Sequence, residues 1–127
     1  MAMKSLGPAA SGSTDLVRKA DLTNSVAIPF FLSSTVTTGV KLPKFVAPVA
    51  MTVVDMYAIL NAGSGTTTIR PSKNGGSSDG STLNVTTSSG HTTQSLSLAA
   101  GDTLTVNVTA VGTTPSDMSV TFWANVT

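Results

Sequence analysis

Hydrophobic and polar positions alternate most regularly over Asp102–Val126. Leu104, Val106 and Val108 interleave with Thr103, Thr105, Asn107 and Thr109. The stretch Val111-Gly112-Thr113-Thr114-Pro115-Ser116 interrupts the pattern, after which Met118, Val120, Phe122, Ala124 and Val126 interleave with Ser119, Thr121, Trp123 and Asn125. A period of two turns one row of side chains to a core and the other to water. It predicts a β-hairpin, or two neighbouring antiparallel strands, with Trp123 on the water-facing row.

Earlier segments carry shorter versions of the same signal. Val26–Leu32 is apolar, with Pro29 restricting it to a sheet edge or the start of a strand, and Thr35–Lys41 reads as a further short strand. Val49–Leu60 is the longest apolar run. Simple alternation puts Met51, Val53, Tyr57 and Ile59 on one face and Val54, Met56, Ala58 and Leu60 on the other. Apolar residues on both faces imply either a central strand or one face covered by another subunit. Thr66–Arg70, Thr82–Thr86 and Thr93–Leu98 are shorter strands, and Asn74-Gly75 suits a type I′ turn. Residues 1–25 read as an N-terminal arm. Thr14–Leu22 within it could form two helical turns or an extended strap, and either would need a surface to lie on. Residues 26–127 then form one antiparallel β-sandwich or jelly roll of seven or eight short strands.

Composition sharpens this all-β reading. The chain has 127 residues, 21 Thr and 17 Ser, no Glu and a single Gln, while only 10% of its residues are charged. Hydroxyl groups must therefore supply most of the polar surface. Cysteine is missing, which excludes disulfides and thiolate metal sites. The net charge of +1 argues against an electrostatic nucleic-acid binder. No apolar run reaches the length of a membrane span, and the first residues lack a signal-peptide core, so synthesis in a cytoplasm is expected. Residues 1–44 carry a charge of +3 and the remainder −2.

Candidate chemistry is sparse. His91 is the only histidine and follows Ser88-Ser89-Gly90 in an expected exposed loop, with no nucleophile elbow nearby. Asp55 stands within the most apolar strand and should pair with Arg70 or a lysine across strands or subunits. Asp79, Asp102 and Asp117 adjoin turn residues, where aspartate serves local hydrogen bonding; a calcium site built on Asp79 and loop carbonyls is the one metal reading with any basis. Three Asn-Val-Thr sequons, at Asn84, Asn107 and Asn125, are expected by chance in a chain so rich in threonine. No catalytic activity and no cofactor are expected. An exposed aromatic platform of Tyr57 and Trp123, with Asn74, Asp79 and His91 as polar partners, would suit a carbohydrate- or receptor-binding module of a fibre or adhesin that takes host glycans.

One pattern is familiar. The proline-bounded run Phe45–Leu60, the following Gly63-Ser64-Gly65, the segment Thr67-Thr68-Ile69-Arg70-Pro71-Ser72-Lys73-Asn74-Gly75, then Leu96–Leu104 and the alternating last strand resemble small jelly-roll virion proteins of tailed bacteriophages. These include capsid decoration (cement) proteins, head fibres and tail-fibre modules. The resemblance covers about residues 45–127 and implies a homotrimer seated on a shell of major capsid protein, at the virion surface, with the N-terminal arm reaching onto the shell. On this reading Leu16, Val17, Arg18, Lys19 and Leu22 meet the capsid, and Met56, Tyr57 and Trp123 lie at the subunit interface.

Overall fold

The computed structural model describes residues 24–127, and every regular element among them is a strand. In chain order these are β1 (Ser25–Thr35), β2 (Gly39–Val40), β3 (Phe45–Val46), β4 (Met51–Ser64), β5 (Thr67–Lys73), β6 (Leu83–Val85), β7 (Gly90–Leu98), β8 (Thr103–Ala110) and β9 (Thr113–Val126). Threonine and valine are their commonest residues, β-branched side chains that fit a pleated, half-buried surface. The count slightly exceeds the expected seven or eight, and β4 and β9, at 14 residues each, are not short.

The strands form two antiparallel sheets. One has the order β1-β9-β4-β7 and the other β2-β8-β5-β6, with β3 also on β8. β2 and β3 are two pieces of one edge: Gly39 and Val40 face Val108 and Asn107, while Phe45 and Val46 face Leu104 and Thr103. Between the pieces the chain gains two residues on β8, and Leu42 projects into solvent. With β2 and β3 counted as one, the eight strands follow the jelly-roll order.

This order corrects the reading of the last quarter of the chain. β8 and β9 do not pair; they belong to different sheets and face each other across the core. Alternation records that each strand has one buried face, and two strands on opposite walls of a sandwich satisfy it as well as a hairpin does. Val53, Met56 and Phe122 from the first sheet meet Ile69, Leu104 and Val106 from the second in one apolar cluster. Phe30 packs edge-on against Phe122, with ring centroids 5.6 Å apart. Full burial of such side chains contributes about 1.5–3 kcal/mol each.

The faces of β4 also differ from simple alternation. Val53 pairs with Ala124 on β9 whereas Asp55 pairs with Trp123, so β4 carries one extra residue at Val54. Such a bulge swaps the faces of everything beyond it. Met51, Val53, Met56, Ala58 and Leu60 all point inward, and Tyr57 and Ile59 point out. β4 is central in its sheet, flanked by β9 and β7.

Two other expectations meet different outcomes. Pro29 does sit on an edge strand, β1. Thr105 and Asn107, placed by alternation towards water, are buried; Thr105 Oγ1 donates to the Lys41 carbonyl at 3.0 Å, beneath the interruption between β2 and β3. At the end of β5, Asn74 and Gly75 both have positive φ, and Gly76 N–H donates to the Lys73 carbonyl at 2.9 Å, which closes the expected type I′ turn.

Candidate functional site

The outer face of the β1-β9-β4-β7 sheet gathers residues that lie far apart in the chain. Pairing sets them in rows across the strands: Ala27, Trp123, Asp55 and Thr93; then Pro29, Thr121, Tyr57 and His91; then Phe31, Ser119 and Ile59. The chain's only tryptophan, tyrosine and histidine thus share one face with Asp55. Phe31 is 74% exposed, Tyr57 48%, Trp123 42% and Ile59 38%. β1 contributes a column of Ala27, Pro29 and Phe31, and β4 contributes Tyr57 and Ile59. Between them β9 presents the smaller Ser119 and Thr121, with Trp123 at one end. Diagonal neighbours on a sheet lie within reach of aromatic side chains, so Trp123 and Tyr57 belong to one patch.

The polar part of this face is built by the β4 bulge. Asp55 Oδ1 accepts the Met56 N–H at 2.9 Å and lies 3.0 Å from His91 Nδ1. The neutral His91 tautomer that donates from Nδ1, or the imidazolium, satisfies this contact. The ring of His91 stacks on Tyr57, with centroids 5.0 Å apart and planes 21° apart. The Asp55 side chain is mostly covered, while that of His91 is about half exposed. The arrangement anchors Tyr57 in a fixed orientation beside a carboxylate. It also resembles two members of a nucleophilic triad, yet the Asp–His pair lies on an open strand face with ring stacking on one side, and no serine hydroxyl is hydrogen-bonded to the imidazole among the described residues.

Several sequence-derived placements change here. Asp55 pairs with His91, not with Arg70 or a lysine. Arg70 is on the other sheet, where its Nε and Nη2 donate to the Asp79 and Gly80 carbonyls at 2.8 and 2.7 Å and hold down the loop after β5. His91 lies near the start of β7 and not in a loop. Met56 is wholly buried in the core, so it cannot serve as a subunit contact, because the bulge turned it inward. Tyr57 and Trp123 are exposed together, as a contact would need. Asn74 and Asp79, grouped with them as polar partners for a glycan, lie in the turn and loop after β5, in the other sheet; Asp79 Oδ2 accepts the Lys73 N–H at 2.9 Å. Among the described residues no group of three metal-ligating side chains occurs. Leu16, Val17, Arg18, Lys19 and Leu22 lie outside the described residues. The juxtaposition of Asp55 with His91 is not legible in the sequence, because it depends on the register of β4 against β7, which no local pattern encodes.

No family model matches the chain, and no curated protein matches it. Among solved structures it is similar to a chain described as "Bacillus endospore appendages form a novel family of disulfide-linked pili", at 17% identity, over 81% of this chain and 85% of that one, with a TM-score of 0.43. A likeness of that depth carries no argument about what this chain does.

Proposed function

We propose that this chain is a structural, non-enzymatic protein of a bacteriophage virion, one that decorates the capsid and stabilises it. On this reading it acts as a homotrimer on the virion surface and reaches the major capsid protein through residues 1–25. The observation that carries the reading is the apolar outer face of the first sheet. In a chain clad mostly in hydroxyl groups, Phe31, Tyr57, Ile59 and Trp123 stand together in the open, and contiguous exposed apolar surface marks a place where another protein sits. The jelly-roll order supports it in a general way, since such sandwiches serve in viral shells and also in lectins. Occupied subunit boundaries would stabilise the assembled shell by mass action, by RT ln(1 + [L]/Kd) per site, with free chain at concentration [L].

The same face favours a second reading. Aromatic rings beside a carboxylate and an imidazole suit the apolar faces and hydroxyls of a sugar, so Trp123, Tyr57, His91 and Asp55 would form the platform of a glycan-binding module. Light scattering of the purified chain, alone and mixed with undecorated capsids, separates the two. A trimer that coats capsids, and loses both properties on Trp123→Arg, supports decoration. A monomer that ignores capsids but is retained on a glycan array through Trp123 supports the module and overturns the first reading.

A further inference from the structure

Asn74 is the only asparagine of the chain that is followed by glycine. Such a pair is chemically labile in water, because a glycine nitrogen, with no side chain beside it, can reach the asparagine side-chain carbonyl carbon. Both residues stand exposed just beyond β5, and no hydrogen bond between described residues uses the Gly75 N–H. The nucleophile is open and water has access, yet the turn holds the reacting atoms apart in two ways. The first is the backbone. Asn74 has φ 53° and Gly75 φ 80°. At the first of these positions in a type I′ turn ψ is roughly +30°, which swings the following nitrogen to the side away from Cβ. Closure of a five-membered ring through Cβ needs that nitrogen on the near side. The second is the side chain. Asn74 Nδ2 donates to Asp102 Oδ1 at 3.1 Å, and Asn74 Oδ1 accepts the Thr103 N–H at 2.9 Å. The Asn74 N–H donates to the Thr103 carbonyl at 3.0 Å. Asp102 is fixed in turn by the Ala99 N–H on its Oδ2, at 2.8 Å.

We propose that Asn74 is a site of spontaneous deamidation which Asp102 holds shut, and which converts irreversibly once the turn opens. On opening, the Gly75 nitrogen attacks Asn74 Cγ and gives up its proton. The Cγ–Nδ2 bond breaks, and the side-chain nitrogen leaves as ammonia. Water then opens the succinimide at either carbonyl, to aspartate or to isoaspartate. The sum is amide plus water to carboxylate plus ammonium, and solvent is the only co-reactant. The product cannot resume its seat. A carboxylate at position 74 has no proton to give Asp102, so negative oxygens would face each other where the 3.1 Å hydrogen bond stood. The Lys73 ammonium, 3.8 Å from Asp102, offsets that repulsion in part. Isoaspartate also lengthens the backbone of a turn whose bonds to Thr103 depend on its exact span. Each conversion therefore loosens the tie between this turn and β8, and leaves the chain one negative charge richer at neutral pH.

Incubation of the full chain in mildly alkaline buffer, followed by fragmentation mass spectrometry, reads the mass gain of amide to acid at Asn74. The native chain should convert at least about tenfold more slowly than the same chain unfolded in urea. Asp102→Ala, verified as folded by circular dichroism, should raise the native rate by about tenfold. Asp102→Asn leaves one accepting oxygen for two donors and should fall between. Phe122→Ala, whose lesion lies in the core far from the turn, should stay near the parent rate. Equal rates in native and unfolded chains would overturn the lock, as would an Asp102→Ala rate equal to the parent's. Acceleration by Phe122→Ala as large as by Asp102→Ala would show that global unfolding sets the rate, and would overturn the role of Asp102. A second readout needs no ageing: Asn74→Asp should have a lower urea midpoint than the parent at neutral pH. An unchanged midpoint would overturn the claim that the product cannot reseat.

Discussion

Asp102 shows how much local chemistry a single turn aspartate can carry. Its Oδ2 accepts the Ala99 N–H at 2.8 Å, its Oδ1 accepts from Asn74 Nδ2 at 3.1 Å, and Lys73 Nζ lies 3.8 Å away. The Ala99 N–H first, then Asn74 and the Lys73 charge, hold its carboxyl below the ordinary carboxylate range. Asn74 Oδ1 in turn accepts the Thr103 N–H, so the network ties the turn after β5 to the start of β8. A depressed pKa contributes stability that is complete above the unfolded value, about 3.9, and is lost as pH falls through the lowered folded value. Asp102→Asn should therefore be less stable than the parent near neutrality, and the gap should close as pH is lowered below about 4. Urea midpoints measured from pH 7 to pH 2 check this; a gap independent of pH would refute it.

Among the elements, the ends of β1, β4 and β9 meet in an irregular corner that regular pleating does not produce. Register shifts fall between Leu32 and Thr35 on β1 and between Ala62 and Ser64 on β4. Ser34, Thr114 and Asp117 take positive φ, and the Ser34 N–H donates to Asp117 Oδ1 at 2.7 Å. Gly63 is the residue the corner depends on. Its φ is +120°, and a Cβ there would come within 2.7 Å of Pro115 Cα. Both the backbone conformation and the close approach demand glycine. Gly63→Ala should cost about 2–3 kcal/mol, read as a lower denaturation midpoint. Gly75→Ala should cost less, since it shares the positive φ but its Cβ would meet nothing within 4 Å.

For the molecule as a whole, adjacent residues on β9 face opposite ways, one into the core and one to the outer face. Phe122 is fully buried where the two sheets meet, and its neighbour Trp123 points out beside Asp55. Phe122→Ala should lower stability by about 3–5 kcal/mol through transfer and cavity terms. Trp123→Ser should change it by less than about 1 kcal/mol, and on the proposed trimeric reading it should lower the mass seen in light scattering. Equal stability losses at the two positions would mean that the outer face is part of the fold and not a contact surface.

The all-β class, the edge position of β1 and the Asn74-Gly75 turn were legible in the residues, because each rests on local rules: a period of two, a proline without an N–H, and two positions that need positive φ. The exposure of Tyr57 and Trp123 was legible in part. Simple alternation puts Tyr57 on the face of Met51 and Val53, and the extra residue at Val54 moves it, together with Met56, to the opposite sides. A bulge adds one residue and leaves hydrophobicity unchanged, so the pattern does not reveal it. The separation of β8 from β9, the burial of Thr105 and Asn107, and the meeting of Asp55 with His91 came from tertiary structure alone. Alternation says that a strand has a buried face, but which strand lies beside it, and in what register, depends on contacts between residues distant in sequence. The short-range pattern therefore defined the strands, and the packing of two sheets chose their neighbours and the face on which the aromatic residues collect.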